Sequence, residues 1–412
     1  MPMPTPDPLC TPEQAQQLVL QEIPLLGVER VPLFEAMGRV LAEDIPARHD
    51  SPPHDNSAMD GYALRHADIA AAHAGHPAFL EIVEDIPAGY VPKKSVGPGQ
   101  ASRIMTGALV PDGADTVIRV EDTRAEGGKV AILDPDEAGV NIRRRGEDVQ
   151  AGQVVVGAGT YCGPGELALL ASLQRALVPV RRRPVLAILS TGDELVEIDE
   201  PLAPGKIVNS NTYGLAALAL ASGALPLMLP IARDEEAEIR RAVESALSAD
   251  FILSSGGVSV GDYDYVKKVL GELGAQVKLW RVAMKPGKPL FFCTLQGKPY
   301  FGLPGNPVSS LVSFLQFVRP AIRKAAGHVP GEWFLPVVTA RLEHSITNED
   351  QRRQYARARL RLDQGQLLAA APQGQDAHML SSMLGANGLL LLAPGVRLEA
   401  GDEVQAQLFG EL

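Results

Sequence analysis

The chain has 412 residues, a formal net charge of −11 and a pI of about 5.3, and 46% of its residues are hydrophobic against 21% charged. Single hydrophobic cores seldom grow past roughly 250–300 residues, so this length predicts several domains. The composition is that of a folded, acidic protein. It disfavours intrinsic disorder, and it disfavours a nucleic-acid partner because DNA and RNA attract basic surfaces.

Membrane and metal-thiolate functions are also disfavoured. No segment approaches about 18–20 uninterrupted apolar residues, and the first ten residues, MPMPTPDPLC, lack the basic and apolar blocks of a signal peptide. We therefore expect no membrane association and a cytoplasmic location. Cys10, Cys162 and Cys293 lie far apart without C-x-x-C spacing, so neither a disulfide framework nor a thiolate metal site is indicated.

The first half of the chain changes character twice. Thr11-Pro12-Glu13-Gln14 is typical of a capping box with proline at the first helical position, and it predicts a helix to about Ile23. Residues 49–146 are rich in glycine and in β-type runs such as AFLEIVEDI and DTVIRVEDT. A strand-like pattern and a helix at Pro164–Gln174 follow. Residues 49–146 are therefore predicted to form a β-rich domain that is inserted rather than appended.

Residues 179–327 alternate strand and helix patterns. The runs VLAILST, ALPLMLPI and DFILSS show no polar alternation, which is typical of strands buried on both faces of a parallel sheet, and helices are expected at about 211–222 and 234–247. We predict a three-layer α/β domain. Residues 328–412 return to short strands separated by glycine turns, which predicts a small β-barrel or sandwich.

Two predicted strands of the α/β domain lead into polar turns, Ser190–Leu195 and Ser254–Ser259. Open α/β sheets bind ligands at this edge, and a glycine-rich turn before a helix often holds a phosphate. Asp262 and Asp264 would repel a bare phosphate, but Mg²⁺ takes one or two carboxylates together with phosphate oxygens. A phosphorylated or nucleotidylated ligand with a divalent cation is predicted. A Gly-Gly turn is as often a packing device, and Asp262 could instead stabilise a helix dipole.

Two further loops are predicted to reach the same edge. Leu303–Ser310, LPGNPVSS, follows a short strand, and Pro307 suits the first position of a long helix whose free N–H groups would face the edge. Met284–Pro289, MKPGKP, holds Lys285 and Lys288 in a rigid loop suited to an oxyanion. Each loop alone could be an ordinary turn, but their convergence favours a binding site.

The β-rich insert has its own candidate residues. Asp55–Tyr62, DNSAMDGY, gathers acids and small polar side chains, and Ile104–Ala108 places a hydroxyl at the end of a strand. Function and simple solvation are about equally expected for the first loop. Asn141–Asp148, NIRRRGED, alternates basic and acidic groups, for which a solvated face is the default interpretation.

Taken together, the motifs resemble one family. In order they are DNSAMDGYA, RIMTGA, RRRGED, LSTGDEL, VNSNTYGL, SSGGVSVGDYD, MKPGKP and LPGNPVSS. From about Pro12 to its end, the chain is similar to the molybdopterin molybdenumtransferases, which include bacterial MoeA and the E domain of gephyrin. The resemblance implies four domains: the α/β domain, the insert, the C-terminal barrel, and a linking domain assembled from residues 27–48 and 147–178. An N-terminal helix within residues 1–26 would pack on the linking or α/β region.

The resemblance also implies a reaction. Molybdate would be inserted into the dithiolene of adenylylated molybdopterin with Mg²⁺, releasing AMP and the molybdenum cofactor. An elongated homodimer is implied, with the insert of one subunit facing the α/β domain of the other. A molybdopterin adenylyltransferase and cofactor-accepting enzymes are further candidate partners. The alternatives are that the chain is itself a molybdopterin adenylyltransferase, or a non-catalytic molybdopterin-binding scaffold.

The resemblance assigns residues to three roles. The cation ligands would be Asp193, Glu194, Asp262 and Asp264. Molybdopterin and its phosphate would contact Ser190, Thr191, Gly192, Asn209, Asn211, Ser254, Gly256, Gly257, Ser259, Pro304, Gly305, Asn306 and Ser309. The catalytic group would comprise Asp60, Thr106, Asp148, Glu194, Asp234, Lys285 and Lys288, the first three acting across the dimer. Asp234 could equally be the N-cap of the following helix.

The C-terminal region departs from the family pattern. Arg352-Arg353-Gln354-Tyr355 stands where family members usually have Arg-x-Glu-aromatic, and Gln375-Asp376-Ala377-His378 stands where they have Gln-x-Ser. Arg352 and Ser381 are candidates for a second oxyanion contact near there. Whether that auxiliary site is retained or lost stays open.

Overall fold

The structure, a computed structural model, describes residues 9–257, 265–372 and 374–412. These fall into two units by their internal contacts. The first unit comprises the described residues up to Ala42, Gly159–Gly163 and Leu177 onward, and the second comprises Glu43–Ala158 and Pro164–Ala176. Within the described part of the chain, no helix combines the length and apolar character needed to cross a bilayer.

The first unit contains a six-stranded sheet. Its strands, in spatial order, are Leu225–Met228, Val185–Ser190, Phe251–Ser255, Lys298–Leu303, Pro289–Leu295 and Gln276–Arg281. Five run in one direction, and only Pro289–Leu295 is antiparallel to its neighbours. The sheet is therefore mixed rather than purely parallel, because the Gln296-Gly297 turn joins the last two strands of the chain order as a hairpin.

Helices cover both faces of this sheet. They span Pro12–Gln21, Ser210–Ala221, Glu236–Ala246, Tyr265–Glu272 and Pro307–Ser313, the last continuing through a π-helical turn at Phe314–Val318 into Arg319–Ala325. Leu186 and Ile188 face the core under the first, second and last of these helices, whereas Ala187 and Leu189 face the other two. This strand alternation confirms the three-layer α/β prediction.

The predicted capping box begins the first helix. Thr11 Oγ1 accepts the Gln14 N–H at 3.3 Å, and Gln14 Oε1 accepts the Thr11 N–H at 2.9 Å. The helix ends at Gln21, two residues before the predicted Ile23. Ala15 and Val19 pack into the α/β core, so this helix belongs with that domain.

The C-terminal strands close into a five-stranded barrel. In ring order they are Arg353–Asp363, Gln366–Ala370, Val337–Leu342, Glu403–Leu408 and Gly388–Leu392. Closure depends on the 11-residue first strand, whose two halves pair with different neighbours, residues 354–358 with Gly388–Leu392 and residues 359–363 with Gln366–Ala370. The short strand Met284–Lys285 from the α/β region pairs in parallel with its start.

The second unit contains another six-stranded sheet. Its spatial order is Thr116–Arg119, Gly61–Leu64, Gln100–Ile104, Ala78–Ile86, Lys129–Ile132 and Thr123–Glu126. Tyr62 and Leu64 bury one face, while Ala63 buries the other. A two-stranded pair, Ile45–Pro46 with Val154–Val156, and the helix Pro164–Ser172 complete the unit.

The segments predicted to form one linking domain are divided between the two units. Val28–Pro32 pairs with Leu177–Arg181 in the first unit, whereas Ile45–Pro46 and Val154–Val156 lie in the second. The four domain boundaries stay a prediction.

Candidate functional site

A cavity of about 670 Å³ lies where Val185–Ser190, Phe251–Ser255 and Lys298–Leu303 end. The turns that follow these strands form its walls with the starts of two helices. The predicted residues among its lining are Ser190, Thr191, Gly192, Glu194, Asn209, Asn211, Asp234, Gly256, Gly257, Pro304, Gly305 and Asn306. Parallel strands bring their carboxyl ends to one edge, which explains why segments more than 100 residues apart meet here.

The glycines of the second turn allow close packing. Gly256 and Gly257 have φ values of +89° and +68°. A Cβ on Gly257 would lie 2.7 Å from Val266 Cγ2 and 2.9 Å from Thr191 Oγ1. Only glycine can therefore bring this turn against the first one, which supports the packing interpretation. The binding interpretation stays a prediction.

Turn N–H groups face the cavity without a partner among the described residues. Those of Gly257, Gly305 and Asn306 donate to no described acceptor. The Val308 N–H, in contrast, donates to the Ala377 carbonyl at 3.1 Å. The helix that begins at Pro307 thus offers fewer free donors than the sequence predicts, and the turns before it are the better phosphate cradle.

Buried polar groups form the floor of the cavity. Asn209, only 3% exposed, accepts hydrogen bonds through Oδ1 from Ser190 Oγ and from Thr212 Oγ1, both at 3.1 Å. Asn211 Nδ2 donates to Ser255 Oγ and to the Gly305 carbonyl, both at 2.8 Å. These bonds fix the helix start and tie two of the turns together.

The acids of the first turn differ in their surroundings. The Glu194 carboxylate lines the cavity and accepts no hydrogen bond from the described residues. The Asp234 N–H donates to Asp193 Oδ1 at 3.2 Å, and the Asp193 N–H donates to Asp234 Oδ2 at 3.4 Å. Asp193 braces Asp234 and is not among the lining residues, and its predicted cation contact stays a prediction. The next helix takes Glu235 as its N-cap, so the N-cap alternative for Asp234 is wrong.

A cation would find two carboxylates in the described cavity. No cluster of three or more His, Cys, Asp or Glu able to hold a metal occurs in residues 9–257, 265–372 and 374–412. Ser259, Asp262 and Asp264 lie outside the described residues. Glu194 and Asp234 suit Mg²⁺, which proteins often bind through one or two carboxylates plus substrate phosphates.

Two predicted hydroxyls lie away from the cavity lining. Ser254 is fully buried and its Oγ has no partner in the described residues, and Ser309 is buried near the Gly287 backbone. Ser255 lines the cavity instead. Strand alternation could have found it, because Ser255 lies on the same face as Phe251.

The two lysines of the MKPGKP loop do not line the cavity that Glu194 and Asp234 line. Lys285 lines a second cavity of about 620 Å³ with barrel residues that include Thr347 and Gln354. Lys288 is exposed and lines neither cavity. The cause is long-range strand pairing, since Met284–Lys285 joins the barrel strand.

Arg352 is already paired with a carboxylate. Its Nε donates to Asp350 Oδ1 at 2.7 Å, and its Nη1 donates to the Met284 carbonyl at 3.3 Å. The hydrogen bonds from the Arg352 guanidinium to the Asp350 carboxylate lower the pKa of Asp350 to about 2. Ser381 is exposed on the short turn Leu380–Met383. An oxyanion at Arg352 would have to compete with Asp350, so the auxiliary site stays a prediction.

The structure brings two predicted residues of the insert together. Asp60 Oδ1 accepts hydrogen bonds from the Thr106 N–H and from Thr106 Oγ1, both at 2.7 Å. These two bonds lower the pKa of Asp60. Asp148 is exposed, and no described contact links its carboxylate to this pair.

The RRRGED loop is more than a solvated face. Asp55 accepts the Arg145 N–H at 2.8 Å and Arg144 Nη1 at 2.7 Å, while Asp50 accepts the Ala151 N–H at 2.8 Å. The Arg145 N–H, with the Arg144 guanidinium, holds the pKa of Asp55 below its usual value of 3.8. Asp55 therefore fixes the main chain of the loop at Arg145, and Asp50 holds the main chain just beyond it at Ala151.

We expect Asp55→Asn to destabilise the fold more at neutral pH than in acid. Because the folded pKa of Asp55 is depressed, its contribution is fully present above pH 3.8 and is lost as the pH falls through the lower folded pKa. Solvent screening limits the loss of unfolding free energy to about 1 kcal/mol. Thermal unfolding should show a lower Tm than the parent at pH 7 and a smaller difference at pH 3. Asp134→Asn, an exposed acid in the same unit, is the control, and an equal difference at both pH values would contradict the expectation.

We expect Gly192→Ala to displace Glu194. Gly192 has φ +145°, and a Cβ there would lie 2.7 Å from Glu194 Cδ. The backbone strain should cost about 1–3 kcal/mol of stability, and the moved carboxylate should lower activity by about tenfold or more. Gly205→Ala separates the two effects, since Gly205 has φ +79° and open space around it. Equal activity of the two variants would show that the Glu194 position does not matter.

Comparison with known proteins agrees with this arrangement. The sequence matches the MoeA N-terminal region (domain I and II) over residues 10–173, a probable molybdopterin binding domain over residues 187–324, and the MoeA C-terminal region (domain IV) over residues 339–409. A molybdopterin molybdenumtransferase of Nostoc is 45% identical over 82% of this chain and 78% of its own length.

Other relatives cover the chain more fully. The molybdopterin molybdenumtransferase of Bacillus subtilis is 39% identical over 93% of this chain and 90% of its own length. The crystal structure of a molybdopterin biosynthesis MoeA protein from Pyrococcus horikoshii superimposes with a TM-score of 0.84 at 32% identity, covering 98% of this chain and 100% of that one. The resemblance seen in the motifs is confirmed, and the chain belongs to the MoeA family of molybdopterin molybdenumtransferases.

Proposed function

We propose that the chain completes the molybdenum cofactor by inserting molybdate into adenylylated molybdopterin, with release of AMP and dependence on a divalent cation. The observation that carries this proposal is one cavity that combines open carboxylates with a glycine-lined phosphate cradle. Family membership supports the insertion step, because relatives that span most of the chain are molybdopterin molybdenumtransferases.

The residues divide the work between phosphate and cation. The N–H groups of Gly257, Gly305 and Asn306, which donate to no acceptor among the described residues, can donate to a terminal phosphate. Glu194 and Asp234 would hold Mg²⁺, which when bound would neutralise negative charge on the pyrophosphate. Asp234 Oδ2 is held by the Asp193 N–H, and the Glu194 carboxylate is free to turn toward a ligand.

We also propose a homodimer, in which Asp60, Thr106 and Asp148 of the partner subunit complete the cavity. The support is the exposed, pre-formed Asp60–Thr106 pair, in which one oxygen of Asp60 takes both hydrogen bonds. That arrangement leaves the second oxygen available for a ligand. A cytoplasmic location, a partner adenylyltransferase and acceptor enzymes stay predictions.

The proposal is tested by supplying the purified protein with adenylylated molybdopterin, Mg²⁺ and either molybdate or sulfate. We expect AMP release that needs molybdate and stops with a chelator, together with a product that activates a molybdenum-free apoenzyme. Binding without AMP release would overturn the catalytic assignment and leave a scaffold. Adenylylation of molybdopterin from ATP would instead favour the adenylyltransferase alternative.

A further inference from the structure

Two cations lie beside the acidic turn and donate to its main chain. Arg233 Nη1 donates to the Leu195 carbonyl at 2.9 Å and to the Asp193 carbonyl at 3.4 Å. Lys206 Nζ donates to the same Asp193 carbonyl. Glu194 therefore stands between two carbonyl groups that are held by positively charged side chains.

Because Arg233 and Lys206 donate to main-chain carbonyl groups, they leave the carboxylates of the turn available for a cation. A lysine or arginine paired directly with Glu194 or Asp234 would compete with a cation for the same oxygens. Donation to carbonyl groups fixes the turn instead, and Glu194 keeps a carboxylate without a hydrogen bond from the described residues. The nearby positive charges also offset repulsion among Asp193, Glu194 and Asp234.

Both cations come from segments that are themselves anchored. The Arg233 N–H donates to Glu238 Oε2 at 3.0 Å near the start of the next helix. Lys206 directly precedes Ile207–Val208, which pairs in parallel with Leu195–Val196. The turn is thus held from two separate loops, and one of them also carries Asp234, which is proposed above as a cation ligand.

We propose that Arg233 and Lys206 are positioning residues that hold Glu194 and Asp234 in the cation-binding arrangement. The catalytic part of this inference rests on the proposed function. Arg233→Met and Lys206→Met should raise the Mg²⁺ concentration for half-maximal AMP release several-fold. The rate at saturating Mg²⁺ should stay within about twofold of the parent, since a bound cation can restore the order of the turn. Arg233→Lys should recover part of the affinity.

Hydrogen exchange of the free protein tests the positioning without any assay of function. Peptides covering residues 191–196 should exchange faster in Arg233→Met and Lys206→Met, while the strand Leu186–Leu189 should not change. Arg397→Met is the matched control, because Arg397 is exposed and its Nε donates to Glu399 at 2.8 Å in the barrel, with no contact to the acidic turn among the described residues.

The outcomes distinguish the positioning role of Arg233 and Lys206 from the proposed function. Faster exchange with a raised Mg²⁺ requirement supports the proposal. Unchanged exchange, or faster exchange with an unchanged Mg²⁺ requirement, overturns it. If the parent protein releases no AMP, the proposed function fails, and exchange together with the Mg²⁺ affinity measured by calorimetry still decides the positioning role.

Discussion

Glu194→Gln is expected to lower molybdate-dependent AMP release by about a hundredfold or more. Glutamine has nearly the same size as glutamate, but its neutral amide is a much weaker cation ligand. Stabilisation of charge by a metal ion contributes several kcal/mol, and each 1.36 kcal/mol corresponds to about a tenfold change in rate. Because the Glu194 carboxylate accepts no hydrogen bond from the described residues, its loss should leave the stability of the fold nearly unchanged.

The measurement compares initial rates and Tm for the parent, Glu194→Gln and the control Glu197→Gln, which lies in the same segment but does not line the cavity. Raising the Mg²⁺ concentration should recover part of the rate in Glu194→Gln if the residue acts through the cation. A Glu194→Gln variant with the parent rate at limiting Mg²⁺ would remove Glu194 from the mechanism.

Arg357→Met is expected to lower the unfolding free energy by about 2–3 kcal/mol, because several acceptors lose their donor together. Arg357 is fully buried in the barrel, where its guanidinium donates to the Gln375 carbonyl at 3.0 Å, the Asp376 carbonyl at 3.2 Å and Ser382 Oγ at 3.1 Å. Burial lowers the pKa of Arg357 to about 10, so the group stays charged at neutral pH. Methionine fills a similar space but leaves these half-buried and exposed acceptors without the donors that Arg357 supplies.

Denaturant unfolding monitored by circular dichroism gives the difference in unfolding free energy. Arg359→Met is the matched control, since Arg359 lies two residues along the same strand and is exposed. Arg357→Lys should recover little, because a single ammonium cannot reach all the acceptors that the planar guanidinium spans. A loss below about 1 kcal/mol for Arg357→Met would show that the segment from Gln375 to Ser382 keeps its conformation without the Arg357 hydrogen bonds.

Local patterns were the parts of the structure that the sequence predicted well. The Thr11–Gln14 capping box and the apolar strands depend on neighbours within a few residues, so a short stretch of sequence is enough to predict them. The convergence of turns on one cavity followed from a single rule about parallel strands. For that reason the acids and glycines around Glu194 and Gly257 were predictable as a group.

Long-range pairing decided what the sequence could not predict. Lys285 lies away from the acids because its segment adds to a barrel strand some 70 residues later, a register that no local pattern reveals. The bracing of Asp193 by Asp234 and the buried charge of Arg357 likewise depend on contacts between separate elements. Ser255 was missed for a different reason. Ser254 and Ser255 are chemically identical, and only the alternation of side chains along the strand, which was not applied, distinguishes the one that lines the cavity.

The Val308 N–H bond to Ala377 has a consequence for how the molecule can come apart. The barrel region supplies the acceptor for the end of a helix that faces the cavity, and it receives the Met284–Lys285 strand in return. Two regions joined by a main-chain hydrogen bond and by strand pairing share part of their stability, so we expect them to unfold together. We therefore expect that the α/β domain would not fold well if expressed without the barrel. Removing the barrel would destabilise the start of the helix at Pro307, which lines the binding cavity.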